Sequence, residues 1–146
     1  MKRGQISVEY LIVVGFVVFL VLGVLGVAFY YSSALRDSIK FYQLKGYVDK
    51  TLSSAESVFF AGEPSKSTFT AYLPDGVNNV YVLEENGEHS LVVDISTSSG
   101  NALIAYPSNV PLALEGALNL NAGVKRIEVI ARGNPDNDVL IREDNE

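Results

Sequence analysis

The chain has 146 residues, of which 48% are hydrophobic, with a formal net charge of −6 and no cysteine. That length suits one domain with an appended element, and the acidic balance lacks the basic surface that nucleic-acid binding requires. With no thiol there is neither a disulfide nor a thiolate metal site, so packing and hydrogen bonds must hold the fold. The charge is unevenly spread: Tyr10 to Leu35 carries none, and most of the acids lie in the second half.

From Tyr10 to Tyr31 the chain runs 22 residues on large apolar side chains interrupted only by glycine and alanine, and fifteen of them are Leu, Ile, Val or Phe. As a helix this stretch rises about 33 Å, close to the hydrocarbon thickness of a bilayer. Those fifteen side chains favour insertion by about 5 to 9 kcal/mol before the cost of glycine. A head of fewer than a hundred residues cannot surround a helix that is apolar on every face, which argues against a buried core helix. An ordinary secretory signal fits poorly too. The run is too long, and Tyr30-Tyr31-Ser32-Ser33 follows it in place of a small-residue cleavage site.

Immediately before this run stands Lys2-Arg3-Gly4-Gln5-Ile6-Ser7-Val8-Glu9. It resembles the class III signal peptide of archaeal type IV pilin-like proteins: a short basic leader, a Gln-x-Ser-x-Glu pattern (here Gln5, Ser7 and Glu9), then an apolar helix. The family pattern commonly closes with leucine four residues after the glutamate, where this chain has Val13, with Leu11 nearby. The resemblance implies cleavage by a prepilin peptidase between Gly4 and Gln5, with Lys2, Arg3 and Ser7 as part of the processing motif. It implies that Glu9 pairs with the freed amine of a neighbouring copy and sets the stagger between subunits. The implied partners are copies of the chain or other pilins, the prepilin peptidase, a pilus assembly platform, and the membrane before assembly. The alternative for Glu9 is an interfacial carboxylate favoured by the dipole of the helix start. The positive-inside count does not supply the orientation: Arg36, Lys40, Lys45 and Lys50 beyond the apolar run outnumber Lys2 and Arg3 before it. An outward head follows from the resemblance alone.

Past the apolar run, Leu35, Ile39, Tyr42, Val48, Leu52, Ala55 and Phe59 recur at steps of three and four, which predicts an amphipathic continuation of the helix. Gly62-Glu63-Pro64 ends it. After Pro64 the period falls to two. Strands are predicted near 68–73, 77–84, 90–96, 102–106, 124–132 and 139–142. Asn86-Gly87 marks a two-residue hairpin turn. That turn sets Glu85 opposite Glu88, Glu84 opposite His89, Val82 opposite Leu91 and Val80 opposite Val93, with the valine-leucine face turned onto the helix. The apolar but unpatterned stretch from Pro107 to Gly123 reads as a loop or short edge strand. The predicted class is α+β: a long N-terminal hydrophobic helix packed on a C-terminal antiparallel β-sheet domain, pilin-like. Its parts are a leader at 1–4, a helix at 5–61 (membrane and assembly segment 10–31, stem 32–61) and a head at 62–146.

Little in the sequence points to chemistry. His89 is the only histidine and sits beside the hairpin tip, where pairing with Glu84 is the simpler role. Asn134, Asp136 and Asp138 alternate as calcium ligands do, but lack the turn glycine and the closing bidentate glutamate, so a solvated turn is expected. No phosphate-cradling glycine loop and no Asn-x-Ser/Thr site occurs. The expectation is a non-enzymatic protein without cofactor or metal, and the resemblance implies a major or minor pilin of a surface filament, for adhesion or attachment. The alternative is a single-pass anchored extracellular β domain that binds and never polymerises.

Overall fold

The structure, a computed structural model, describes residues 3–116, 118–133 and 136–144, with side chains from residue 8 onward. One helix, α1 (Arg3–Ala61), precedes seven strands. The chain divides into two units, one up to Asp37 and one from Ser38 on.

The first unit is helix alone. Every side chain from Val8 to Tyr31 is exposed.

The second unit begins with the remainder of α1. Leu44, Tyr47, Val48, Thr51, Ala55 and Val58 are buried along it, again at steps of three and four. Burying each large apolar member contributes about 1.5 to 3 kcal/mol. This corrects the predicted stripe. Leu35, Ile39 and Tyr42 are exposed, Leu52 and Phe59 are half-buried, and only Val48 and Ala55 of the predicted set are fully covered. The covered face begins near Leu44 and passes through two side chains with hydroxyls. Thr51 belongs there because its hydroxyl donates to the Tyr47 carbonyl at 2.8 Å. Gly62, at φ 75°, closes α1, its N–H reaching the Val58 and Phe59 carbonyls at 3.1 Å.

The strands are β1 (Lys66–Leu73), β2 (Val77–Glu85), β3 (Glu88–Thr97), β4 (Gly100–Ser108), β5 (Leu112–Leu114), β6 (Gly123–Ala131) and β7 (Val139–Glu143). They form two sheets, with order β1-β6-β7-β5 in one and β2-β3-β4 in the other. All neighbours are antiparallel except β5 and β7, which run parallel. Between Pro107 and Gly123, read from sequence as a loop or short edge strand, the edge strand present is β5, only three residues long and too short to show a period in the sequence.

The hairpin register is the predicted one at all four pairs, Glu85↔Glu88, Glu84↔His89, Val82↔Leu91 and Val80↔Val93. Asn86 and Gly87 take φ of 55° and 82°, as a type I′ turn requires. Leu91 and Val93 are buried, and Val80 and Val82 pack against them. Inner-face residues of both sheets and the stem residues Leu44, Tyr47, Val48 and Ala55 make one core. The outer faces of both sheets consequently point away from it. The fold is α+β, a long N-terminal apolar helix whose later turns pack on sheets, a pilin-like architecture.

Candidate functional site

Two regions concentrate unusual residues: the start of α1, and the charged strands of the four-stranded sheet. At the start of α1, Arg3, Gly4, Gln5 and Ser7 have helical backbone, while Lys2 lies outside the described residues. Glu9 is exposed, four residues after Gln5 and thus on the same side of the helix. It opens the apolar segment, whose most hydrophobic 18-residue window has a mean hydropathy of 3.1 with none of it buried. The helix is long and apolar enough to cross a membrane and compatible with insertion. Along it, Gly23 leaves a shallow groove bounded by Phe19, Leu20, Val24 and Val27. A glycine at such a position leaves room for another helix to approach closely.

In the head, β6 and β7 hold the ionisable groups. On the outer face Glu128 is nearly buried, accepts from Arg142 at 2.5 and 2.6 Å and is also paired with Lys66. The hydrogen bonds from Lys66 and then Arg142 hold its carboxyl below the usual carboxylate range. On the inner face Lys125 and Glu143 form a pair at 3.6 Å with both side chains almost covered. Glu143 also accepts from the Asn119 N–H at 2.6 Å, which ties down the segment after β5. Burial next to that carboxylate pushes the Tyr47 hydroxyl up to about 12.

These groups neutralise one another, and no nucleophile with an activating base lies among them. Asp136 and Asp138 both turn to Arg132, Asp138 in a two-pronged pair at 2.6 and 2.7 Å. That replaces the calcium arrangement considered from sequence, and Asn134 lies outside the described residues. Among the described residues no cluster of three or more metal-ligating side chains occurs. His89 faces Glu84 in register, yet its Nδ1 is buried with no hydrogen-bond partner among the described residues, so the expected cross-strand side-chain pairing is not made through that atom.

Sequence reasoning missed the Glu128–Arg142–Lys66 cluster. Its only signal was alternation: Arg126 and Glu128 share one face of β6, and Arg142 falls opposite Glu128 only once β7 is paired with it. No protein family, curated protein or solved structure matches the chain.

Proposed function

We propose that the chain is a structural subunit, major or minor, of an archaeal type IV pilus-like surface filament serving adhesion or attachment. The observation that carries this reading is the segment from Tyr10 to Tyr31, apolar and exposed on every side, and preceded by Glu9. Such a surface needs a cover, and lipid and neighbouring helices provide equivalent ones. Exchanging the first for the second exposes little apolar area to water, so a subunit can leave the membrane for a filament at small cost.

The prepilin peptidase cuts between Gly4 and Gln5, where glycine lowers the cost of unwinding the first helical turn by about 1 kcal/mol. Lys2 and Arg3 hold the leader at the cytoplasmic face, and Ser7 completes the motif. Once Gln5 carries a free amine, Glu9 of an adjacent subunit pairs with it. Only one axial offset satisfies both charges, so a single carboxylate at the edge of an apolar bundle fixes register. The head stays outside, on the filament surface. The task is assembly, not catalysis, and no cofactor takes part.

Replacing Glu9 with alanine in the native host tests this directly. The variant is expected to be cleaved, to remain in the membrane, and to be missing from filaments sheared off the cells. Normal filament yield from Glu9→Ala would contradict the assembly role.

A further inference from the structure

The three-stranded sheet of the head carries acids and no cation, while the four-stranded sheet carries both signs. From Ser67 to Val124 the chain contains no lysine or arginine, yet it carries Asp75, Glu84, Glu85, Glu88, Asp94 and Glu115. The three-stranded sheet lies wholly within that stretch. The cations of the head, Lys66, Lys125, Arg126, Arg132 and Arg142, fall on β1, β6 and β7 or just after β6.

The outer face of the four-stranded sheet is positive at its surface although its charges are paired. Lys66, Arg126 and Arg142 keep 58%, 53% and 44% of their side chains exposed, while their partners Glu128 and Asp144 keep 5% and 18%. Glu115, at 3.5 Å from Arg142 and 54% exposed, is the one well-exposed acid partner among the described residues of these ion pairs, so three exposed cations stand against it. Beside them Tyr72 and Val124, paired in register, form an exposed apolar spot.

The outer face of the three-stranded sheet is the reverse. Tyr81 and Leu83 on β2 and Leu103 and Ala105 on β4 flank Val92 on β3. Glu85 and Glu88 border this apolar patch at the hairpin tip, and Asp94 lies beside Leu103 at the other end. An apolar patch rimmed by polar groups is the usual form of an interaction surface.

We infer that the four-stranded outer face of one copy docks on the three-stranded outer face of another. Charge chooses this occupant: pairing either face with itself would set like charges opposite one another, whereas pairing the two different faces sets cations against acids. A contact between two different patches is heterologous. Each copy keeps one of each face free, so the contact repeats into a ring or a helical array. It need not be strong. The inference rests on the proposed assembly in one respect: helices packed side by side hold the heads at an effective concentration on the order of millimolar, which lets a weak contact form.

Because the chain has no cysteine, the contact can be read by cross-linking the full-length protein. Val124 and Leu103, 71% and 68% exposed, mark the two faces. Val124→Cys and Leu103→Cys are expressed singly, together as a mixture, and in one chain, and a short bismaleimide is applied to native membranes and to sheared filaments. The expected pattern is no link with either single variant, dimers from the mixture, and a ladder of multimers from the double variant. Adding Glu85→Lys and Glu88→Lys at the exposed hairpin tip reduces linking about tenfold. Single variants that link to themselves, or an acid-tip reversal without effect, would overturn the charge-matched contact. Sheared filaments that show no link would overturn it and leave the filament function standing. Links in membranes from cells that never yield filaments would support the contact and sink the filament reading.

Discussion

Leu20 and Leu44 occupy the same helix with the same side chain, yet Leu44 is fully buried and Leu20 is 50% exposed. Around Leu44 the helix shows one face to a core built from two sheets, and its other faces are polar enough for water. Around Leu20 every face is apolar and none is covered by the chain's own residues. The stem is thus complete within one molecule and the apolar segment is not. An amphipathic helix can be satisfied by its own domain, whereas a uniformly apolar one has to find its cover elsewhere.

The same substitution in the two places tests that difference most strongly. Leu44→Ala should destabilise the head by about 3 kcal/mol, seen in denaturant unfolding of the detergent-solubilised full chain followed by tyrosine circular dichroism. Leu20→Ala should leave that unfolding unchanged and act only on filament yield. If both variants shifted head unfolding equally, the separation between the regions would be wrong.

Glu128→Gln should have the next largest effect, and a pH-dependent one. The Glu128 carboxyl lies below its ordinary range, so it stabilises the head above that range and loses the contribution as pH falls through its lowered value. The amide should be less stable at neutral pH, with the gap closing as the solution is acidified towards about 4 and below. An unchanged gap across that range would remove the ion cluster as a source of acid sensitivity.

Gly87→Ala, which forces a Cβ into φ 82°, should cost about 1 kcal/mol without altering the strand register. Amide exchange along β2 and β3 would report any slippage.

Tyr47→Phe should be the mildest change at neutral pH and become visible only in alkali. The hydroxyl is pushed up to about 12, so the folded head holds its proton more tightly than the unfolded chain does. The stabilisation is complete below an unfolded value of about 10 and is lost as pH rises towards the folded one. The phenylalanine variant should therefore resist alkaline unfolding better than the wild type, and equal alkaline midpoints would contradict the burial of this hydroxyl beside Glu143.

Much of this architecture was legible in the residues. Asn86-Gly87 fixed the hairpin register because only a two-residue turn with positive φ at both positions suits that pair, and one register alone buries the valine-leucine face. The end of α1 was visible in Gly62 and Pro64. The stem face was misjudged because two overlapping stripes share Val48 and Ala55, and only tertiary contact selects the one through Leu44, Thr51 and Val58. The ion pairs around Glu128 and Glu143 were hidden for a related reason. Their members are distant in sequence and meet only after β6 and β7 pair, so no local spacing announced them. The proposed processing motif is legible only as a resemblance, since the proposed cleavage would be the work of another protein.

The most direct test of the central claim, that the apolar segment is covered in turn by lipid and by copies of itself, is the intact mass of the chain from native membranes and from sheared surface filaments. A species beginning at Gln5 with a free amine, in the sheared fraction, is the predicted result. A chain that still begins at Met1 and stays in the membrane, in cells that contain the peptidase, would contradict the account and leave a single-pass anchored β domain.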